Sequence, residues 1–208
     1  DAQESRGLGD VYKRQSLSRG RARCSGALPA RKATDMTCYR FENHQPIVSA
    51  SAYIHPTAVI IGHVIIGDGC YIGPGASLRG DFGHIRIEHD ANVQDNCVLH
   101  GTIDSETIIR ARGHIGHGAV VHGCLVEEDV LIGMNAVVMD NSVIGARSII
   151  GSCAMVRAGF SCPAESLVMG VPAKVHKTLS QREIDKKREA TQRYMALAKR
   201  SLAALVPC

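Results

Sequence analysis

IHPTAVIIGHVIIGDGCYIGPGASL occupies residues 54–78, and within it Ile54, Ile60, Ile66, Ile72 and Leu78 recur at every sixth position. After an offset the same interval returns at Ile87, Val93 and Leu99, and again at Val126, Ile132, Val138, Ile144, Ile150 and Val156. A period of six is neither the 3.6 of a helix nor the 2 of a half-buried strand. On a helix it walks around the axis and leaves no continuous apolar face. The slot four residues after each aliphatic is small or modest at Ala58, Val64, Cys70, Ala76, Ala91, Cys97, Ala136 and Ala154, with Phe82 the exception. Gly often follows the aliphatic, as in Ile66-Gly67, Ile72-Gly73, Ile132-Gly133, Ile144-Gly145 and Ile150-Gly151.

A hexad that buries its first and fifth residues and turns at a Gly makes one short strand and a corner. Three such strands close a triangular coil, and each coil hydrogen-bonds to the coils above and below. The narrow interior takes Ile, Val, Leu, Ala and Cys and leaves little space for Trp, in keeping with 4% aromatic residues and no Trp in 208. Each buried aliphatic contributes roughly 1.5–3 kcal/mol, enough in sum to hold the stack. The spacing predicts a β-helix over residues 54–175, preceded by a lead-in strand within 36–53.

The rest of the composition mostly excludes. No apolar run reaches the roughly 18 residues of a membrane-spanning helix. Residues 1–35 hold eight bases and four acids, whereas residues 36–208 hold sixteen of each, so the neutral body gives no electrostatic reason to expect nucleic acid or an anionic membrane as partner. Eight cysteines without a CxxC are too sparse for a disulfide scaffold, which points to a reducing, cytoplasmic setting. Residues 1–35 lack apolar periodicity, and two readings of them stay open. An acid-poor, Arg- and Ser-rich leader fits an organellar transit peptide. Asp10-Val11-Tyr12-Lys13-Arg14-Gln15 also reads as the translation of GAT-GTG-TAT-AAG-AGA-CAG, a transposase adaptor, which favours a non-native, disordered leader with Met36 as the true start.

At the other end, Met169-Gly170-Val171-Pro172-Ala173-Lys174 ends the repeat. Ser180 with Glu183 forms a capping box, and Leu179 with Ile184 a hydrophobic staple. A helix is expected from about Gln181 to Leu205, within a C-terminal segment 176–208. Ile184, Met195, Leu197, Leu202 and Leu205 are its expected apolar side, to lie along the prism or across a subunit boundary.

Three of the ten histidines stand out by position. His100 follows Leu99 and His122 follows Val121, each the outward position after an interior aliphatic, and they lie 22 residues apart. One coil takes 18 residues, and the polar stretch Gly101 to Thr107 can loop out the other four, so both fall on one face of adjacent coils. His117 belongs to the hexad that begins at Ile115 and points about a third of a turn away. A threefold neighbour can present its own His117 to the first chain's His100 and His122, which makes a three-histidine site only in a homotrimer. Three imidazoles and one open position are the ligand set of a catalytic zinc, and also suit Fe2+.

Arg79-Gly80-Asp81, Asn92 to His100 and Gly113 to Gly123 resemble the γ-class carbonic anhydrase-like hexapeptide-repeat family over nearly all of residues 40–200. The forms LRGDFG, QDNCVLHG, GHIGH, HGC, IGMNAVVMD and GVPAK are most similar to the branch of the phenylacetic acid degradation and carnitine operon proteins. The resemblance implies an all-β, left-handed parallel β-helix with a C-terminal α-helix, homotrimeric, with zinc held between subunits. It implies His100, His117 and His122 as ligands, Gln94 orienting the nucleophile or substrate, and Arg79 pairing with Asp81 and Asp95 at the subunit boundary. His114 is expected at the surface, with a spare ligand or a residue supporting the ligands from behind as the alternatives. One departure concerns proton transfer: Phe82 stands where the efficient carbonic anhydrases of this family carry an acidic shuttle, and the following loop offers only Asp104 and Glu106. Fast CO2 hydration needs such a relay.

The sequence therefore favours a zinc hydrolase acting on an acyl-CoA thioester in aromatic catabolism, with Arg110, Arg112 and Arg157 as candidate contacts for the CoA phosphates. The alternatives are CO2 hydration, a hexapeptide acyltransferase, and a non-catalytic trimeric scaffold.

Overall fold

The computed structural model describes residues 37–103 and 105–207. The leader 1–35, the start at Met36 and the candidate shuttle Asp104 lie outside the described residues.

The hexads become short strands on the three faces of a parallel solenoid. The first face holds β1 (Thr37–Tyr39), the start of β4 (Val59–Ile66), the start of β6 (Ser77–Ile87), β8 (Val98–His100), β11 (Val120–His122), β14 (Val137–Val138) and β17 (Met155–Val156). The second holds β2 (Ile47–Val48), the ends of β4 and β6, β9 (Glu106–Ile109), β12 (Leu125–Val126), β15 (Val143–Ile144) and β18 (Ser161–Cys162). The third holds β3 (Tyr53–Ile54), β5 (Tyr71–Ile72), β7 (Asn92–Val93), β10 (His114–Ile115), β13 (Leu131–Ile132), β16 (Ile149–Ile150) and β19 (Ser166–Gly170). β20 (Ala173–Thr178) returns antiparallel to β19.

Along the third face Ile54, Ile72, Val93, Ile115, Ile132, Ile150 and Val168 are register partners, at intervals of 18, 21, 22, 17, 18 and 18 residues. The irregular intervals have local causes. The 21 comes from an excursion in β6, where the register with β4 shifts between Gly62 and Val64. The 22 comes from the loop between β8 and β9, and the 17 from a tight corner at Gly123, which has a φ of 52°. The excursion also corrects the reading of Phe82. The interior slot is filled by Ile85, the partner of Val64, and Phe82 is 60% exposed.

Segment 36–53, expected as one lead-in strand, instead carries the separate strands β1 and β2, and β2 is already in register with Ile65 and Ile66. The interior is continuous from Ala52 to Ala173. Some small slots are serines rather than apolar residues. Ser148 and Ser166 are buried and both donate to the Pro163 carbonyl, at 3.2 and 2.8 Å. Cys70, Cys97 and Cys124 are buried free thiols, and burial pushes them up to about 12, 11 and 12, so they are inert packing residues.

In segment 176–208, β20 first runs to Thr178, and helix α1 (Gln181–Ala204) then lies across the third face. The Glu183 carboxylate accepts from the Ser180 N–H at 2.9 Å and from its hydroxyl at 2.8 Å. Of the expected apolar side, Ile184 is buried and Leu197 packs with Tyr53 and Tyr71, while Leu202 and Leu205 are exposed in the single chain; Lys187, Thr191 and Ala198 are buried as well. Lys187 goes inward because it meets buried Asp129, which also accepts from Arg188 at 2.6 Å. Burial pushes the Asp129 carboxyl up, but these two cations outweigh it and hold the group below its ordinary range. Further along, Tyr194 packs edge-on against Tyr71 at 5.4 Å, and Tyr71 stacks on Tyr53 at 5.4 Å. Among the described residues no helix is long and apolar enough to cross a membrane.

Candidate functional site

The outward position after the interior aliphatic of the first face carries Arg79, His100 and His122 on successive coils. His100 and His122 are direct register partners, with ring centroids 5.1 Å apart. Each ring is tied by one nitrogen to a carboxylate from a neighbouring coil. His100 Nε2–H donates to Asp81 Oδ1 at 2.9 Å, and His122 Nδ1–H donates to Asp140 Oδ1 at 2.7 Å. Those bonds set the tautomers. They leave His100 Nδ1 and His122 Nε2 facing each other at 3.1 Å, two acceptor atoms that require a cation or a shared proton between them.

Arg79 Nη1 reaches Asp81 Oδ2 at 2.5 Å. Burial raises the Asp81 carboxyl, but the hydrogen bonds from Arg79 and His100 more than offset it, and the group stays below the ordinary carboxylate range. Phe82 leans on His100 with centroids 5.7 Å apart. Thr107 donates to the His100 carbonyl at 2.6 Å and accepts from the Gly123 N–H at 2.9 Å, which locks the two coils together behind the rings.

Gln94, Asp95 and His117 occupy a different corner, the one that follows the third face. His117 pairs through Nδ1 with Asp95 Oδ2 at 3.1 Å, and its Nε2 lies 3.4 Å from the Tyr194 hydroxyl. Asp95 thus meets His117 within the chain, and the pairing with Arg79 that the resemblance implies is one across the subunit boundary. Among the described residues of one chain, no three His, Cys, Asp or Glu side chains gather around a common metal position.

Gln94 is 3% exposed and its amide is tightly fixed. Its Nε2 donates to Asn92 Oδ1 at 3.0 Å and to His114 Nε2 at 2.6 Å. His114, expected at the surface, is buried because α1 returns over it, with Tyr194 edge-on at 5.3 Å and Thr191 Oγ1 3.4 Å from its Nδ1. Burial, with smaller contributions from Lys187 and His117, pushes the His114 imidazole down to about 4. It is therefore neutral at pH 7 and free to accept from Gln94. Asn92 Nδ2 is left buried without a partner, a cost of about 1–3 kcal/mol that accompanies the fixed Gln94 amide.

Sequence reasoning missed Asp140, the carboxylate behind His122, and Tyr194. Asp140 has a readable signal, since it lies 18 residues beyond His122, one coil along. Tyr194 has none before α1 is placed. A stack of His44, His63 and His84 was also missed; its centroids are 4.7 and 4.9 Å apart, and it lines a cleft of about 660 Å³ with Glu42, Asp81 and Phe82. Two proposed coenzyme contacts are already engaged: Arg110 meets Glu88 at 2.7 Å, and Arg112 meets Glu128 at 3.4 Å.

The profile of the family described as bacterial transferase hexapeptide (six repeats) matches residues 46–80 and 123–158. The chain is 48% identical over 171 residues to the carnitine operon protein CaiE of Proteus sp. (strain LE138), covering 82% of this chain and 87% of that protein. It is 47% identical over 170 residues to CaiE of Escherichia coli (strain K12), with the same coverage. Among solved structures it is similar to a Bacillus cereus protein provisionally described as an acetyltransferase, with TM-score 0.81, 27% identity, and 82% and 99% of the two chains covered. A hexapeptide transferase family protein from Anaplasma phagocytophilum gives TM-score 0.77 and 29% identity, covering 83% and 99%.

Proposed function

The chain belongs to the hexapeptide-repeat family of the carnitine operon proteins, and from that premise we propose that it is a homotrimeric, metal-dependent hydrolase of acyl-CoA thioesters. One observation carries the proposal. His100, His117 and His122 each bind an aspartate through one ring nitrogen, at 2.9, 3.1 and 2.7 Å to Asp81, Asp95 and Asp140, while the second nitrogens of His100 and His122 face each other and that of His117 meets the exchangeable hydroxyl of Tyr194 at 3.4 Å. Bracing each imidazole by a carboxylate is how a protein orients metal-ligating histidines and raises their basicity. Two nitrogens at about 2.0–2.1 Å from a tetrahedral zinc are about 3.3–3.4 Å apart, close to the 3.1 Å between His100 Nδ1 and His122 Nε2. The donor set fits Zn2+, and Fe2+ as well.

His117, at the other corner, reaches such a centre in a neighbouring copy, and Gln94 and Asp95 travel with it. His100, His122 and the neighbouring copy's His117 would hold a divalent cation, which would supply Lewis acidity toward a carbonyl and lower the pKa of water. The chain's own groups do the positioning. With both Gln94 N–H bonds committed, its Oε1 accepts from the attacking water and orients it. Phe82 beside His100 gives the site an apolar wall and no proton carrier, which favours a thioester over rapid CO2 turnover. Arg79 holds Asp81, and so the His100 ring, from outside.

The test loads the protein with Zn2+ and follows free thiol release from acetyl-, hexanoyl- and benzoyl-CoA, with and without chelator and with and without an added amine or alcohol. Chelator-sensitive release that needs no acceptor supports the hydrolase. Release only with an acceptor moves the protein to the acyltransferases, the reading favoured by the transferase descriptions of the family profile and the Anaplasma relative. No release, with CO2 hydration instead, would make it a carbonic anhydrase, and neither activity would leave a scaffold.

A further inference from the structure

We infer that the groove between α1 and the corner of the solenoid at Gly116 and Gly133 is the acyl-binding pocket, and that Arg193 at its rim takes the anionic remainder of the substrate. This rests on the hydrolase reading for its chemistry and adds the part of the substrate that sits there.

The groove encloses about 340 Å³, at the small end of the range for ligand pockets and equal to roughly eleven waters. That is room for an acyl group and far too little for a coenzyme. Its walls change character along its length. Leu131, Met134 and Ala190 supply an apolar side, while Gln94 and His117 stand at the other end. An apolar tail lying along Met134 therefore brings its carbonyl toward the two residues assigned to the chemistry.

Met134 is the telling side chain. It sits one coil beyond His117, where the Asn135 N–H donates to the His117 carbonyl at 2.9 Å, and it is 52% exposed. An unbranched thioether at the mouth of a groove is an adaptable wall for apolar ligands of differing shape. Arg193 is exposed on α1 and lines the same groove. Among the described residues it makes no ion pair, unlike Arg110 and Arg112. A free guanidinium beside an apolar slot suits a ligand with an apolar head and a carboxylate or phosphate behind it.

The experiment uses the full chain labelled with 13C at the methionine methyls, the Met134 signal being identified by Met134→Ala. Titration with acetate, hexanoate and benzoate should move the Met134 methyl with hexanoate and benzoate much more than with acetate. Arg193→Gln should raise the half-saturating concentration at least fivefold. In the thiol-release assay, Ala190→Phe narrows the groove and should lower the hexanoyl-to-acetyl ratio of kcat/KM at least tenfold. A Met134 shift without thioester hydrolysis upholds the pocket and sinks the hydrolase reading. Hydrolysis with a silent Met134 and an unchanged ratio in Ala190→Phe overturns the pocket and leaves the hydrolase reading standing.

Discussion

The corner after the first face and the corner after the third are made of the same hexad, yet they hold their histidines in opposite ways. At the first, His100 and His122 face each other between Asp81 and Asp140, with side chains 12% and 26% exposed. At the third, His117 faces no second histidine; it is 43% exposed, on an Asp95 that is itself 41% exposed, with the Tyr194 hydroxyl 3.4 Å from its other nitrogen. The difference teaches that the same repeat can present its outward histidines either as a facing pair braced by carboxylates or as one exposed ring. The rigid group at the second corner is instead Gln94, clamped by buried Asn92 and His114.

Pairing two defective proteins tests that contrast most severely. His117→Ala and His122→Ala should each lose bound zinc and hydrolysis while keeping the fold. Unfolded together in equal amounts and reassembled, they should recover about a quarter of the wild-type metal, because each mixed trimer contains one boundary where both corners are intact. Recovery of none, measured by metal analysis of the refolded trimer, would break the shared site.

The next effect lies at the Gln94 corner. The folded value of His114 is about 4, against an ordinary 6.5. Between these values the unfolded chain binds a proton that the folded one refuses. Stability from this residue is therefore full above pH 6.5 and falls as pH drops toward 4, by about 3 kcal/mol in all. Urea unfolding across that window should show the slope, and His114→Gln should flatten it. At the other corner Asp140→Asn should weaken zinc binding about 10–100-fold, read by competition with a chromophoric chelator. Tyr194→Phe, which removes a hydroxyl 3.4 Å from His117, should change zinc affinity by less than about threefold, in line with the small net value of one exchangeable hydrogen bond. A larger loss would mean that the exposed corner is more rigidly held than its exposure implies.

The solenoid was legible because its rule is local: one aliphatic every six residues and a small residue four places on. His100 and His122 were legible for the same reason, since four residues of the Gly101 to Thr107 loop bring a 22-residue interval back into register. Failures occurred where the rule meets an insertion or a distant partner. Phe82 lies four places after Leu78 and so reads as an interior slot, but the extra residues of the β6 excursion come before the slot is reached, and Ile85 fills it. The buried side of α1 was legible at Ile184 and Leu197 but not at Lys187, which reads as a solvent residue until Asp129, 58 residues earlier, is placed against it. His114 was misjudged in turn, because its cover arrives only with that helix.

The direction reversal at β20 has a meaning beyond closing the chain. A stack of parallel strands ends in a row of free amide and carbonyl groups that matches the start of an identical stack, so such a fold is by construction a seed for its own fibre. On the third face the chain covers that row with a strand of opposite polarity, β20 against β19, and places Lys174 and Lys177 on it. The reversed strand acts as a terminator of polymerisation, and its charges discourage a second chain from pairing where the first has stopped.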